Sequence, residues 1–129
     1  ARGVMVCGDM IAGVGSIVIA KPDGNVRDYL ASLRRMRALN PTALIPAHGP
    51  VQGVDKLDEY IAHRLKREQQ VLAAVRDGES EIDDIVAKVY AGTPAFLLPW
   101  AKRSAETHLD KLVEDGLVRR LGGDYVSVA

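Results

Sequence analysis

The sequence predicts an α/β layer followed by an α+β winged helix, and three patterns carry that expectation. Two short apolar runs, "VMVC" and "TALIP", flank an amphipathic stretch over 26–39. Three more helical stripes follow in succession after residue 53. The tail "LVRRLGGDYVSV" then alternates about a Gly-Gly pair, as a hairpin does.

Taken in order, Val4 to Cys7 reads as a short buried strand that ends at Gly8-Asp9 and opens into the glycine-spaced loop "MIAGVG". A second apolar run, "SIVIA", follows, and the turn "KPDGN" leads to Asn25, a residue type suited to capping a helix. That helix is expected from Val26 to Leu39, with Val26, Tyr29, Leu30 and Leu33 at helical spacing, and Asn40-Pro41 stops it. "TALIPAHGPV" reads as a buried strand ending in a Pro/Gly-rich loop. Asp9 and His48 therefore both fall just past the C-terminal ends of strands that flank one helix, which is where α/β layers gather ligands.

After Pro50 the pattern changes. "VDKLDEYIAHRLKREQQVLAAVRDG" reads as one long helix with Val54, Leu57, Ile61, Leu65, Leu72 and Val75 near one face, ended by Gly78. Ser80 is the expected cap of a short helix in which Ile82, Ile85, Val86, Val89 and Tyr90 form a stripe. Pro99 can open a third helix that runs to Gly116, and Gly122-Gly123 is the expected turn of the closing hairpin. Helix, short helix, longer helix and two-stranded wing make a winged helix over residues 58–129.

Composition bounds the function. A chain of 129 residues that is 47% hydrophobic holds one ordinary domain or two small modules, with enough apolar content for a core. The apolar runs are too short to span a bilayer, Ala1-Arg2-Gly3 opens no signal peptide, and no membrane partner is expected. The single cysteine, Cys7, permits no internal disulfide, which points to a reducing, cytoplasmic location. Charge balances at zero over the chain, yet residues 1–53 carry six Lys/Arg against three Asp/Glu and residues 54–129 carry eleven against fourteen. The expected third helix sets Lys102, Arg103 and Lys111 against Glu106, Asp110, Glu114 and Asp115, so it lacks the positive face of a DNA-reading helix.

"CGD" at 7–9, "PAHGP" at 46–50 and "YIAHRLKREQQVL" at 60–72, in this order and followed by a winged helix, resemble the C-terminal half of a metallo-β-lactamase-fold hydrolase. The branch most resembled carries a C-terminal winged helix, as in the β-lactamase-like protein 2 group, and the likeness covers essentially the whole chain. It implies a partial αβ/βα metallo-hydrolase layer over residues 1–53, with a linking helix and winged-helix domain over 54–129. In that family two divalent metals, zinc by expectation, activate a water that attacks a carbonyl or phosphorus centre. The resemblance assigns Asp9 as the bridging carboxylate and His48 as a ligand of the second metal. The family's HxHxDH motif and its further upstream histidine have no counterpart here, since the other histidines are His63 and His108. A zinc site needs three or four protein ligands, so this chain is expected to hold half a site and to be inactive alone.

Each residue also has a plainer reading. Asp9 and His48 can serve as turn residues. His63 and Arg64, adjacent to the substrate if the resemblance holds, can instead be ordinary positions of a charged helix, with Arg64 and Glu68 paired at i, i+4. His108 is read as an exposed or partly buried helix residue, and Cys7 as a small core residue. The start of the chain, close against a strand, suggests a piece of a longer hydrolase. The expected partner is the missing N-terminal half, or a second copy joined through exposed sheet, with RNA as a further partner of the intact protein. The competing reading is a winged-helix interaction or nucleic-acid-binding module.

Overall fold

The computed structural model describes residues 3–8, 10 and 25–128. The run "SIVIA" and most of "MIAGVG" lie outside the described residues, as does Asp9. The elements follow in the order β1 (Val4–Gly8), α1 (Val26–Ala38), β2 (Ala43–Pro46), α2 (Asp55–Arg76), α3 (Ile82–Val89), a 3-10 turn (Ala95–Leu97), α4 (Leu98–Glu114), β3 (Val118–Leu121) and β4 (Asp124–Ser127). An α/β segment followed by a winged helix is what the sequence predicts. The chain divides into two compact units; among the described residues one holds 3–8, 10 and 27–64, and the other holds Asn25, Val26 and 65–128.

In the first unit β1 and β2 pair in parallel, Val4 opposite Ala43, Met5 opposite Leu44 and Val6 opposite Ile45, before a bulge shifts Gly8 opposite Pro46. A bulge bends its strand and ends regular pairing, and Gly8 at φ 57 supplies the left-handed backbone that turns the chain there. α1 starts one residue after Asn25, as its cap residue type predicts, but ends at Ala38, leaving Leu39 exposed beside Asn40 at φ 49. Its buried stripe is the predicted one, Val26, Tyr29, Leu30 and Leu33. Leu44, Leu57 and Tyr60 are buried as well. An exposed ion pair, Arg37 Nε to Asp58 at 3.1 Å, joins α1 to α2.

In the second unit one core gathers Val71, Leu72 and Val75 of α2, Ile85 of α3, Leu109 and Leu112 of α4, and Val118 and Tyr125 of the hairpin. A smaller cluster joins Val86 of α3 to Ala101 and Ala105 of α4. The hairpin is antiparallel, Val118 opposite Ser127 and Leu121 opposite Asp124, with Gly122-Gly123 as its two-residue turn. Gly122 at φ 64 gives the first central residue the positive φ that a type II′ turn requires.

Local expectations are corrected at several points. β1, read as a buried strand, buries Cys7 but leaves Val4 and Val6 exposed. Ser80 does not cap α3: the helix starts at Ile82 behind Glu81, because the Ser80 carbonyl accepts the Tyr125 amide at 2.9 Å and belongs to the wing. Leu65, placed on the buried face of α2 by periodicity, is exposed, while Tyr60, Arg64, Glu68 and Val71 are buried. Glu68 is engaged from another helix, since Lys111 of α4 reaches it at 2.7 Å. His108 is fully buried, held in the part of α4 that also buries Ala105, Leu109 and Leu112.

Candidate functional site

The parallel pair delivers the backbone on either side of the two strand exits to one edge. The Ala47 amide donates to the Gly8 carbonyl at 2.8 Å, so the residue before His48 is tied to the residue before Asp9. Asp9 itself lies outside the described residues. His48 is exposed on a loop closed at both ends, because beyond it Gln52 pairs with Leu44 through two backbone hydrogen bonds, 2.8 and 2.9 Å. Between them Gly49 takes φ 97, which a side chain would strain, so the glycine of "HGP" is what lets the chain double back directly after the imidazole.

A second tie fixes the other side of that edge. The Met10 amide donates to the Cys7 carbonyl at 3.1 Å, and the Tyr29 hydroxyl of α1 donates to the Met10 carbonyl at 2.7 Å. Arg64, buried in α2, sets its guanidinium 5.8 Å from the centre of the Tyr29 ring. Burial pushes the Tyr29 phenol up to about 12, with the Arg64 charge acting the other way and Tyr60 adding to the rise. Tyr29 therefore stays a hydrogen-bond donor at any physiological pH.

Cys7 is buried with its thiol turned to the Met5 carbonyl at 3.6 Å. Burial raises its pKa, and the hydrogen bond with the Ile45 backbone only partly opposes this, so the sulfur is a protonated core atom at neutral pH, as read from the sequence. His63 is half-buried on α2 next to Arg64.

A metal needs several donors converging at ligand distance. Among the described residues no three His, Cys, Asp or Glu side chains come together in this way. The described donor at the strand edge is one imidazole, that of His48, and one imidazole does not make a site for a catalytic metal.

Sequence reasoning missed the residues that steady this edge. Tyr29 lies on an apolar stripe that periodicity assigns only to the core; nothing in the pattern announces where a phenolic hydroxyl points. Gln52 carried no signal beyond its place after a Pro-rich loop. On the winged helix, Lys102 pairs with Asp83 at 3.2 Å and Lys111 with Glu68 and Asp115, so two of the three cations of α4 are engaged by carboxylates. The face of α4 that carries Ala101, Ser104, Ala105, His108 and Leu112 is buried. Among the described residues no helix is long and apolar enough to cross a membrane.

Residues 82–125 match the family described as β-lactamase associated winged helix domain. The chain is 37% identical over 114 residues to a β-lactamase-like protein 2 homolog of Caenorhabditis elegans, covering 86% of this chain and 37% of that protein. It is 34% identical over 123 residues to the Drosophila melanogaster homolog, covering 92% of this chain and 41% of that protein. Among solved structures, a β-lactamase domain protein from Burkholderia ambifaria superposes with a TM-score of 0.83 at 26% identity, over 98% of this chain and 42% of that one. A metallo-β-lactamase family protein from Thermus thermophilus superposes with a TM-score of 0.81 at 23% identity, over 98% and 42%, and shows the fold alone. The chain thus spans about two fifths of the length of the curated relatives it matches. Winged-helix family, curated relatives and solved neighbours agree that residues 82–125 form a β-lactamase associated winged helix domain and that the chain is similar to the C-terminal part of metallo-β-lactamase-fold proteins that carry one.

Proposed function

We propose that the chain is part of a metal-dependent hydrolase of the metallo-β-lactamase superfamily, to whose site for two divalent metals, zinc by preference, it lends Asp9 and His48. The remaining ligands come from outside these residues, and the chain alone is inactive. The observation that carries this reading is the 2.8 Å hydrogen bond from the Ala47 amide to the Gly8 carbonyl, which joins the residues one position ahead of each candidate ligand. An α/β layer uses such a strand end for its ligands. Likeness in fold supplies the second support, since one neighbour is a β-lactamase domain protein and the other a metallo-β-lactamase family protein.

The described donors do not by themselves make up a metal site. What this chain's residues do in the reading is positional. The loop closed by Gln52 carries the exposed His48, and Tyr29, backed by Arg64, holds the Met10 carbonyl beyond Gly8-Asp9. His63 and Arg64 belong near the substrate approach, Arg64 as an anchor for Tyr29. Residues 1–53 read as catalytic-domain sequence and 54–129 as linking helix and winged helix.

The proposed partner is the other part of the catalytic domain, or a second copy, docked along β1. There Val4 and Val6 are exposed, and an open groove of about 380 Å³ is lined by Gly3, Val4, Met5, Val6, Leu39 and Pro41. RNA contact by the intact protein and a cytoplasmic location complete the proposal.

The test is a chimera in which these residues replace the matching stretch of the nematode relative, assayed for bound zinc and for metal-dependent hydrolysis of a generic phosphodiester. Metal content that falls on His48→Ala, with the fold unchanged by circular dichroism, supports the reading. A chimera whose metal content and turnover are indifferent to both Asp9→Ala and His48→Ala would overturn it.

A further inference from the structure

Large apolar side chains gather at one corner of the second unit, where the 3-10 turn enters α4. Phe96 is 77% exposed, Leu97 40%, Leu98 38% and Trp100 49%, four such residues within five positions. The backbone that presents them is stiff: Pro94 precedes the turn, and Pro99 fixes the first turn of α4. Solvent-facing Phe and Trp serve no core of this chain, and large apolar side chains exposed this close together in the sequence mark an interaction site.

The charge around the patch selects the partner. No carboxylate occurs between Thr93 and Ala105, whereas Lys102 and Arg103 follow directly behind the aromatics. Asp83 of α3 holds Lys102 at 3.2 Å, so part of that charge is neutralised. Arg103 is exposed and lies 5.1 Å from the centre of the Trp100 ring, which leaves its cation at the patch margin. The positive end of the α4 dipole points to the same corner. Tryptophan, phenylalanine and leucine rimmed by arginine match the layered chemistry of a lipid interface, with acyl chains below and anionic headgroups above.

We propose that the Phe96–Trp100 corner docks on an anionic phospholipid surface, with Phe96, Leu97, Leu98 and Trp100 entering the acyl boundary and Arg103 meeting the headgroups. The sequence expectation of no membrane partner rests on the lack of a spanning segment. A surface ledge needs none.

Trp100 is the single tryptophan of the chain, so its fluorescence reports this corner alone. The 129-residue chain is titrated with vesicles of phosphatidylglycerol and phosphatidylcholine, with pure phosphatidylcholine vesicles and with oligouridylate. Anionic vesicles are expected to shift Trp100 emission to the blue, and lipids brominated near the headgroup end of the acyl chain to quench it. Phe96→Asp and Arg103→Glu, both at exposed positions and expected to leave the thermal midpoint in place, should each weaken vesicle affinity by about tenfold or more.

Emission unmoved by anionic vesicles would overturn the proposal, whether Trp100 starts red and stays so or starts blue under a protein cover. A vesicle response unchanged in both variants would put the contact elsewhere and overturn it too. Quenching by oligouridylate without a vesicle response would assign the corner to nucleic acid. Emission that changes on dilution alone would assign it to a second copy.

Discussion

The Tyr29 hydroxyl of α1 donates to the Met10 carbonyl at 2.7 Å, tying a helix to the chain just past the first strand. Tyr29→Phe keeps the ring and its stacking with Arg64 but removes this bond. The expected cost is about 1 kcal/mol, somewhat more if the Met10 carbonyl is left dry, read as a lower urea midpoint at unchanged slope.

The same phenol makes stability depend on alkaline pH. Its folded pKa, about 12, lies above that of an unfolded tyrosine, so the stabilisation it gives is complete below the unfolded value of about 10. It is lost progressively as pH rises from there through about 12. Urea midpoints measured across that alkaline window should fall less steeply in Tyr29→Phe than in the parent.

Lys111 of α4 reaches Glu68 of α2 at 2.7 Å and Asp115 at 3.0 Å, with Glu68 itself buried. Burial alone would lower the lysine, but hydrogen bonds and attraction from the two carboxylates outweigh it and leave its pKa raised. A raised lysine stabilises fully below its unfolded pKa of about 10.4 and less above it. Lys111→Met strands the Glu68 carboxylate and is expected to cost roughly 3 kcal/mol near neutrality, whereas Lys111→Met with Glu68→Leu recovers most of that loss. A double mutant as unstable as the single one would contradict this account of the pair.

Leu109 is fully buried in the core shared by α2, α3, α4 and the hairpin. Leu109→Ala should cost about 3 kcal/mol through lost burial and the cavity left behind. Thermal unfolding followed at once by far-ultraviolet dichroism and by tyrosine fluorescence checks it.

How far the sequence disclosed this structure depends on the range of the interaction. Periodicity found the α1 stripe of Val26, Tyr29, Leu30 and Leu33, and turn chemistry found Gly78, Gly116 and the Gly122-Gly123 hairpin, because these are decided within a few residues. It erred where a distant element intervened. Ser80 is drawn into the wing by Tyr125, Glu68 is reached by Lys111 from another helix, and His108 is buried in the core. For the candidate site, the order strand, helix, strand announced that two strand ends share an edge, and the bond between Ala47 and Gly8 is its physical form. The Tyr29 tie and the Gln52 closure were hidden, since both depend on where a loop returns in space.

The central claim is that His48 and Asp9 are part of a metal site that this chain does not complete. It is tested most directly by calorimetric titration of zinc, and separately manganese, into the 129-residue chain and into its Asp9→Ala/His48→Ala form. The account predicts no tight binding to either form and no phosphodiester turnover. Micromolar or tighter binding to the parent chain, lost in the double mutant, would contradict it by showing that these residues build a full site on their own or by pairing two copies.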